Sequence, residues 1–343
     1  MAYSNINKPN EYFNTATWTG NGTSQTINVG FQPDLNWFKN RDAANYHIWI
    51  DSVRGINKEI YSNAANAEAT DPNEMVSWNS TGYTVGSAGN TNSNGQEIVS
   101  WNWLGANGTA SNTDGSITST VSANTTSGFS IVKYTGTGSN ATIGHGLGKK
   151  PDAIIVKAYE NGQQWASYWS PLGATKVMRF NTSDAESTSS TRWNNTEPTS
   201  SVFSVGTEYE VNTLSENHIA YCFASIKGFS KIGSYTGNGN SDGTFVYTGF
   251  KPAMIILKNA SDTYNWEIRD NKRRTYNEAN ENRLFPNLSN AESVNTETID
   301  FLSNGFKIRN AGGGDNGSGN TIIYMAFAES PFTTSTGIPT TAR

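Results

Sequence analysis

Cysteine occurs once in 343 residues, at Cys222. No intrachain disulfide can form, so cross-links do not hold this fold together. Cys222 stands in a strand-like run and reads as a small buried hydrophobe. Charge is scarce as well: Asp, Glu, Lys and Arg make up 15 % of the chain and the formal net charge is -5, with no basic cluster to recommend a nucleic-acid partner. Apolar runs reach only strand length, which speaks against membrane insertion by a spanning helix. The first residues, MAYSNINKPNEYF, hold no apolar signal-peptide core, so a soluble chain made in a cytoplasm is expected. Helical periodicity is nearly absent; residues 64–69 and 278–283 allow one helical turn each.

What the chain does have is repetition, which takes precedence over any other reading. WTGNGTSQTINVGFQPDLNWFK (18–39), YTGTGSNATIGHGLGKKPDAIIVK (134–157) and YTGNGNSDGTFVYTGFKPAMIILK (235–258) share one order of features. An aromatic (Trp18, Tyr134, Tyr235) precedes Thr-Gly-x-Gly, and a proline (Pro33, Pro151, Pro252) stands six residues before a lysine (Lys39, Lys157, Lys258). A tryptophan follows (Trp49, Trp165, Trp266), then Asn-x-x-x-Ala-Glu ending at Glu68, Glu186 and Glu292, then an aromatic-rich strand. Copies of about 100 residues are too long for a solenoid and right for small domains.

Short runs bounded by Gly and Asn turns specify an all-β fold. The expected architecture is three tandem antiparallel β-sandwich repeats, jelly-roll or lectin-like, since the Cys…Trp…Cys spacing of an immunoglobulin domain is missing. The expected boundaries are an N-terminal arm (1–11), repeat 1 (12–106), a strand-bearing lead-in or linker (107–126), repeat 2 (127–228), repeat 3 (229–329) and a C-terminal tail (330–343). The repeats are expected to stack in a row, with Trp49, Trp165 and Trp266 as equivalent core residues. Residues 90–95 and 312–320 read as long exposed hairpin tips.

Catalytic and metal-binding residues are not found. His47, His145 and His218 fall at different places in their repeats and make no metal-ligand spacing. One regular glutamate per copy does not make the facing carboxylate pair of a glycosidase, so Glu68, Glu186 and Glu292 read as local support for a turn. Thr-Gly-x-Gly lacks the Gly-Lys-Ser/Thr and helix of a phosphate loop, and its glycines read as turn positions. Asp315 is one acid, too few for a calcium cage. No cofactor is implied. Trp169 and Trp193 stand outside the repeat pattern, in runs rich in Ser and Asn. With Arg192 and Asn194 they are the candidate ligand-binding residues, suiting sugar stacking and, equally, a wet protein interface.

The motifs Tyr/Trp-Thr-Gly-x-Gly, Gly-Phe-x-Pro, Asp51-Ser52-Val53-Arg54-Gly55, Asn63 to Glu68 and Tyr324-Met325-Ala326-Phe327-Ala328-Glu329 resemble a family of repeat-containing structural proteins of tailed bacteriophages from marine and other aquatic bacteria. The resemblance covers nearly the whole chain from Tyr12. It implies a virion component, tail- or fibre-associated, whose partners are other virion proteins and copies of itself, trimers being common among tail appendages. Neither heptads nor a β-helix period supplies a fibre shaft, so a compact appendage or adaptor is expected. Its expected task is binding a host surface glycan without cutting it. A head decoration or vertex protein is the alternative, and a glycan-degrading enzyme the third reading. The arm 1–11 and tail 330–343 are the expected clamps on neighbours.

Overall fold

The computed structural model describes residues 3–273, 281–295 and 298–340. It is an all-β protein built from several antiparallel sheets. Of the two single helical turns allowed by the sequence, residues 64–69 hold none: 64–68 carry no regular structure and Ala69 begins the strand Ala69–Thr70. Residues 278–280 lie outside the described residues, and Glu281–Arg283 is a strand.

One strand order appears in each third of the chain. The first large sheet runs Phe13–Thr19, Glu97–Trp103, Leu35–Asn40, Ile48–Asp51, Lys58–Tyr61, Ala69–Thr70. The second repeats that order with Phe129–Thr135, Asn217–Phe223, Ala153–Ala158, Ala166–Trp169, Lys176–Arg179 and Ser187–Thr188. Ala110–Asn112 and Ser119–Asn124, from the stretch between the first two thirds, extend its free edge. The third runs Ser230–Thr236, Thr321–Pro331, Phe250–Asn259, Glu267–Asp270. Beside each lies a sheet of two or three strands, drawn from the Thr-Gly-x-Gly hairpin and the segment before the last long strand.

The central strands are apolar on both faces because both faces are covered. In Leu35–Asn40, Phe38 points to the small sheet and packs with Ile27, Tyr83 and Val85. Leu35 and Trp37 point the other way, into a cluster fed by all three thirds. Ile154 and Val156, like Ile255 and Leu257, face their own small sheets. Ile155 and Ile256 join the shared cluster. At its centre Trp103, Phe223 and Phe327 form a triangle, with ring centroids 6.1, 5.6 and 6.0 Å apart. Each ring sits at the same register of its own sheet, opposite Leu35, Ala153 and Met254. Three large sheets therefore surround one axis and do not stack in a row.

The repeated Asn-x-x-x-Ala-Glu closes this ring. The Glu68 N–H donates to the Tyr159 carbonyl at 2.7 Å, Glu186 to Ala260 at 2.8 Å, and Glu292 to Arg41 at 2.7 Å. Each acceptor stands two residues after the repeated lysine. First third joins second, second joins third, and third joins first. The motif is a joint between thirds, where the sequence suggested support within one.

Other repeated residues fix the loops. Lys39, Lys157 and Lys258 are buried and donate to carbonyls of the turn that follows them, with Lys157 also reaching Ala65 of the first third. The 90–95 and 312–320 stretches are not exposed tips. They open with the short helices Gly89–Asn92 and Gly313–Asn316, whose Asn92 and Asn316 are fully buried; Asn212 is their counterpart in the second third. These amides hold the Thr-Gly-x-Gly loop, accepting from Asn21, Thr137 and Asn238 N–H. A side chain on Gly20, Gly136 or Gly237 would lie within 2.3 Å of a backbone carbonyl. Gly22, Gly138 and Gly239 take left-handed φ of 70°, 68° and 64°.

The N-terminal segment packs on its own chain. Ser4 and Ile6 are buried, Ile6 in the shared cluster, and Asn5 N–H donates to Lys227. Asn7 and Ser335 exchange two hydrogen bonds, so arm and tail clamp each other.

Candidate functional site

The four residues singled out in the sequence do not form an open aromatic site. Trp169 is 1 % exposed, in the shared cluster with its ring 5.4 Å from Trp266. Trp193 is 2 % exposed, 6.1 Å from Tyr168 in the second third's own core. Neither offers a face to a sugar. Polar neighbours in sequence misled here, because the turn around Trp193 folds the indole inward while Asn194, at φ 50°, stays outside. Arg192 is half-buried and committed to Glu210 at 2.6 Å and Ser189 at 3.1 Å. The three histidines are buried; His145 and His218 bond to backbone, and His47 accepts from the Trp37 indole at 3.0 Å. Cys222 is buried as expected.

Trp49, Trp165 and Trp266 are all core, but they are not all equivalent. Trp49 pairs with Trp37, and the same register holds Ser167 and Ile268 in the other sheets. The true counterpart of Trp165 and Trp266 is His47. The backbone N–H groups of His47, Trp165 and Trp266 donate to Asn63, Asn181 and Asn287. The indoles of Trp165 and Trp266 then donate across the joint, to Tyr61 at 3.0 Å and Arg179 at 3.1 Å.

An exposed aromatic ring with polar surroundings lies in the first third. An open cleft of about 340 Å³ is lined by Ala44, Asn45, Tyr46, Asn90 and Ser289, the last contributed by the third third. Tyr46 is 41 % exposed and its ring lies 4.4 Å from that of Tyr61. Strand alternation puts Glu59 and Tyr61 on one face of Lys58–Tyr61, and the Tyr61 hydroxyl donates to Glu59 at 2.7 Å. Asn90 accepts from the Asn45 amide at 2.9 Å and donates to Glu74. Both walls of the cleft thus lead to a buried carboxylate.

Glu59 and Glu74 are 6 % and 1 % exposed, and one oxygen of each, Oε2, has no partner. Burial raises both above the ordinary carboxylate range. Glu74 is pushed up to about 7, with the negative charges of Glu59 and Asp71 adding to the burial against the opposing bonds from Asn90 and Thr91. The charge of Arg54 acts on Glu59, but its guanidinium is bonded to Asp51 and Glu68.

Each of the other two thirds has arginine at one of these two places. By strand register, Glu59 corresponds to Arg283 and Tyr61 to Arg179. Glu74, whose carbonyl accepts from Gly86, corresponds to Arg192, whose carbonyl accepts from Gly206. In the second third Arg179 and Arg192 hold Glu210 at 3.0 and 2.6 Å. In the third, Arg269 and Arg283 hold Glu267 at 2.7 and 3.1 Å, and Arg269 reaches Asp315. No lysine or arginine among the described residues bonds to Glu59 or Glu74. Sequence reading missed this pair, although aligning the three copies exposes glutamates where another copy has arginine.

No group of three or more His, Cys, Asp or Glu among the described residues is placed to hold a metal ion, and no helix there is long and apolar enough to cross a membrane. From residue 8 to residue 331 the chain matches the family described as a domain of unknown function (DUF7483), and it belongs to that family. No curated protein matches it.

Proposed function

We propose that the chain is a structural protein of a tailed-phage virion, a compact tail-associated appendage or adaptor that binds a host surface glycan without cutting it. The repeated motifs support the virion setting through their resemblance to phage structural proteins. In this reading the fold is three β-sandwich units, each a large and a small sheet, closed around a pseudo-threefold axis. The chain then has within itself the symmetry that a trimeric appendage gains by association. The observation that carries the glycan reading is the cleft at Tyr46. An exposed ring face beside the Asn45 and Asn90 amides and the Ser289 hydroxyl suits a sugar ring, apolar on one face and hydroxylated at its edge.

The head-decoration reading rests on a different surface. Phe245 and Tyr247, 43 % and 55 % exposed, point outward from an edge strand of the third small sheet and suit a contact with another virion protein. Two measurements test the proposal. Host envelope polysaccharide should bind the purified chain saturably, with binding reduced by Tyr46→Ala and no reducing ends released. A cryo-electron map of the particle should place the chain on the tail. Absence of binding together with a position on the head lattice would overturn it.

A further inference from the structure

We infer that the edge strand Phe245–Tyr247 of the third small sheet takes an extended segment of a partner protein, added beside it as a further strand. The inference stands apart from the glycan reading and makes no use of the cleft at Tyr46. What carries it is the second third, where the chain's own lead-in is seated on the corresponding edge. Register aligns Val246, opposite Phe306, with Ile143, opposite Phe203, and with Ile27, opposite Tyr83. Ile117 of the lead-in bridges Ile143 in parallel and packs on the second third's own core. Its N–H donates to the Thr142 carbonyl at 3.0 Å, the Thr142 N–H donates to the Ser116 hydroxyl at 2.9 Å, and the Ser119 hydroxyl donates to the Gly144 carbonyl at 2.7 Å.

In the third third no such segment lies on that edge among the described residues. The Ile308 N–H donates to the Thr244 carbonyl, so antiparallel alternation turns the N–H and C=O groups of Phe245 and Tyr247 outward. The Lys231 ammonium holds the Tyr247 carbonyl at 2.7 Å, the part that Ser119 plays for Gly144. At Phe245, the counterpart of Thr142, neither outward backbone group makes a hydrogen bond among the described residues. The first third blunts its edge with polar side chains, Thr26 bonded to Thr84 and Asn28 to the Gly30 N–H. The third carries two exposed aromatics there, and neither charge nor proline on the strand itself. Such an edge is a template for strand addition, in which main-chain bonds bind and alternate side chains select. The lead-in defines the chemistry of the segment. A side chain on Gly115 would lie 2.3 Å from the Thr142 carbonyl, so the segment begins with glycine. Ser116 and Ser119 then place hydroxyls on the edge, and Ile117 between them supplies one aliphatic side chain to the core.

A fluorescent peptide with the sequence of residues 113–121 tests this against the full chain, by anisotropy and by amide hydrogen exchange. The peptide should bind saturably and slow exchange of the Phe245 amide, while the Thr142 amide, covered by the chain's own lead-in, stays as it is in the free chain. Methylating the backbone nitrogen of the peptide's isoleucine removes the N–H that Ile117 gives to Thr142, and should abolish binding with the protein itself unaltered. Phe245→Pro removes the outward N–H at an edge position where proline is tolerated, and should abolish binding from the other side. No saturable binding, binding that survives either change, or protection appearing at Thr142 in place of Phe245 would overturn the inference. A parent chain that sediments as a dimer, with Phe245→Pro monomeric, would overturn the partner segment and make the occupant a second copy of this chain.

Discussion

The first and second thirds of the chain share strand order, joints and loop supports, yet they bury charge in opposite places. In the first, Asp51 lies in the shared core, held by Arg54 at 2.6 Å and by the Tyr221 hydroxyl of the second third at 2.7 Å. The register of Asp51 is occupied by Trp169 in the second third and by Asp270 in the third. Asp270 repeats the arrangement, with Arg273 at 2.7 Å and the Trp101 indole at 3.0 Å. Trp101, Tyr221 and Met325 occupy one register. So where tryptophan replaces the aspartate, the donor facing that joint has become methionine, and Leu172 stands where the other thirds have arginine. A whole buried polar set has been exchanged for an apolar one. That trade is tolerated when every member changes, whereas losing one member strands a charge. Between the sheets the asymmetry reverses: the second third pairs Glu210 with two arginines, and the first leaves two glutamates without one. The backbone joints and the aromatic triangle define the ring; the buried charges vary from third to third.

Breaking the shared parts should have the largest effect. Trp266→Ala or Phe327→Ala should cost roughly 3–5 kcal/mol, and because the core is common the loss should appear in one transition for the whole chain. Denaturant unfolding followed by both tryptophan fluorescence and far-UV dichroism measures this. Separate transitions for the thirds would show that they fold independently. Arg54→Met should cost a similar roughly 3–5 kcal/mol by leaving the buried Asp51 without its cation, Glu68 keeping Lys58, whereas Leu172→Ala, at the apolar counterpart, should cost about 2 kcal/mol. Equal losses would remove the contrast between the two joints. Tyr221→Phe is milder, about 1.5–3 kcal/mol, because Arg54 still holds Asp51. The same change in a chain already carrying Asp51→Asn should cost less, as the hydrogen bond no longer ends on a charge.

Much of the fold was readable. Three copies, short antiparallel strands and buried tryptophans followed from recurrence and turn residues. Arrangement was not, because a strand apolar on both faces says that something covers each face and not what. Leu35, Trp37 and Phe38 look alike in sequence, yet two point to neighbouring thirds and one to its own small sheet. Spacing from Lys39 also hid the match between His47 and the tryptophans, since the eye follows residue type before register. For the site, composition pointed to Trp169 and Trp193 because they broke the pattern. The departure at Trp169 was a core exchange, and the departure in buried charge lay in acids that looked ordinary. Only register places Glu59 against Arg283 and Tyr61 against Arg179.

The smallest effect tests the sheet-to-sheet contrast through pH. Glu74 holds its proton up to about pH 7 in the fold, whereas an unrestrained glutamate loses it near 4.5. Between those values the native state binds more protons than the unfolded chain. The stability linked to this group is therefore fully present below pH 4.5 and is lost as pH rises through 7. Glu59 shifts in the same direction; Asp71 adds repulsion to both, and the Tyr61 hydroxyl and Asn90 amide soften the effect. Glu74→Gln removes the titration while keeping a side chain of the same shape. Its unfolding free energy should match the parent's at pH 4.5 and exceed it at pH 8, where the parent has lost the stability linked to the Glu74 proton. Glu210→Gln should do the reverse at pH 8, since it leaves Arg179 and Arg192 facing each other without their carboxylate. Parallel stability curves for parent and Glu74→Gln across pH 4.5 to 8 would mean that the first third satisfies its acids some other way, and the contrast with the second would fail.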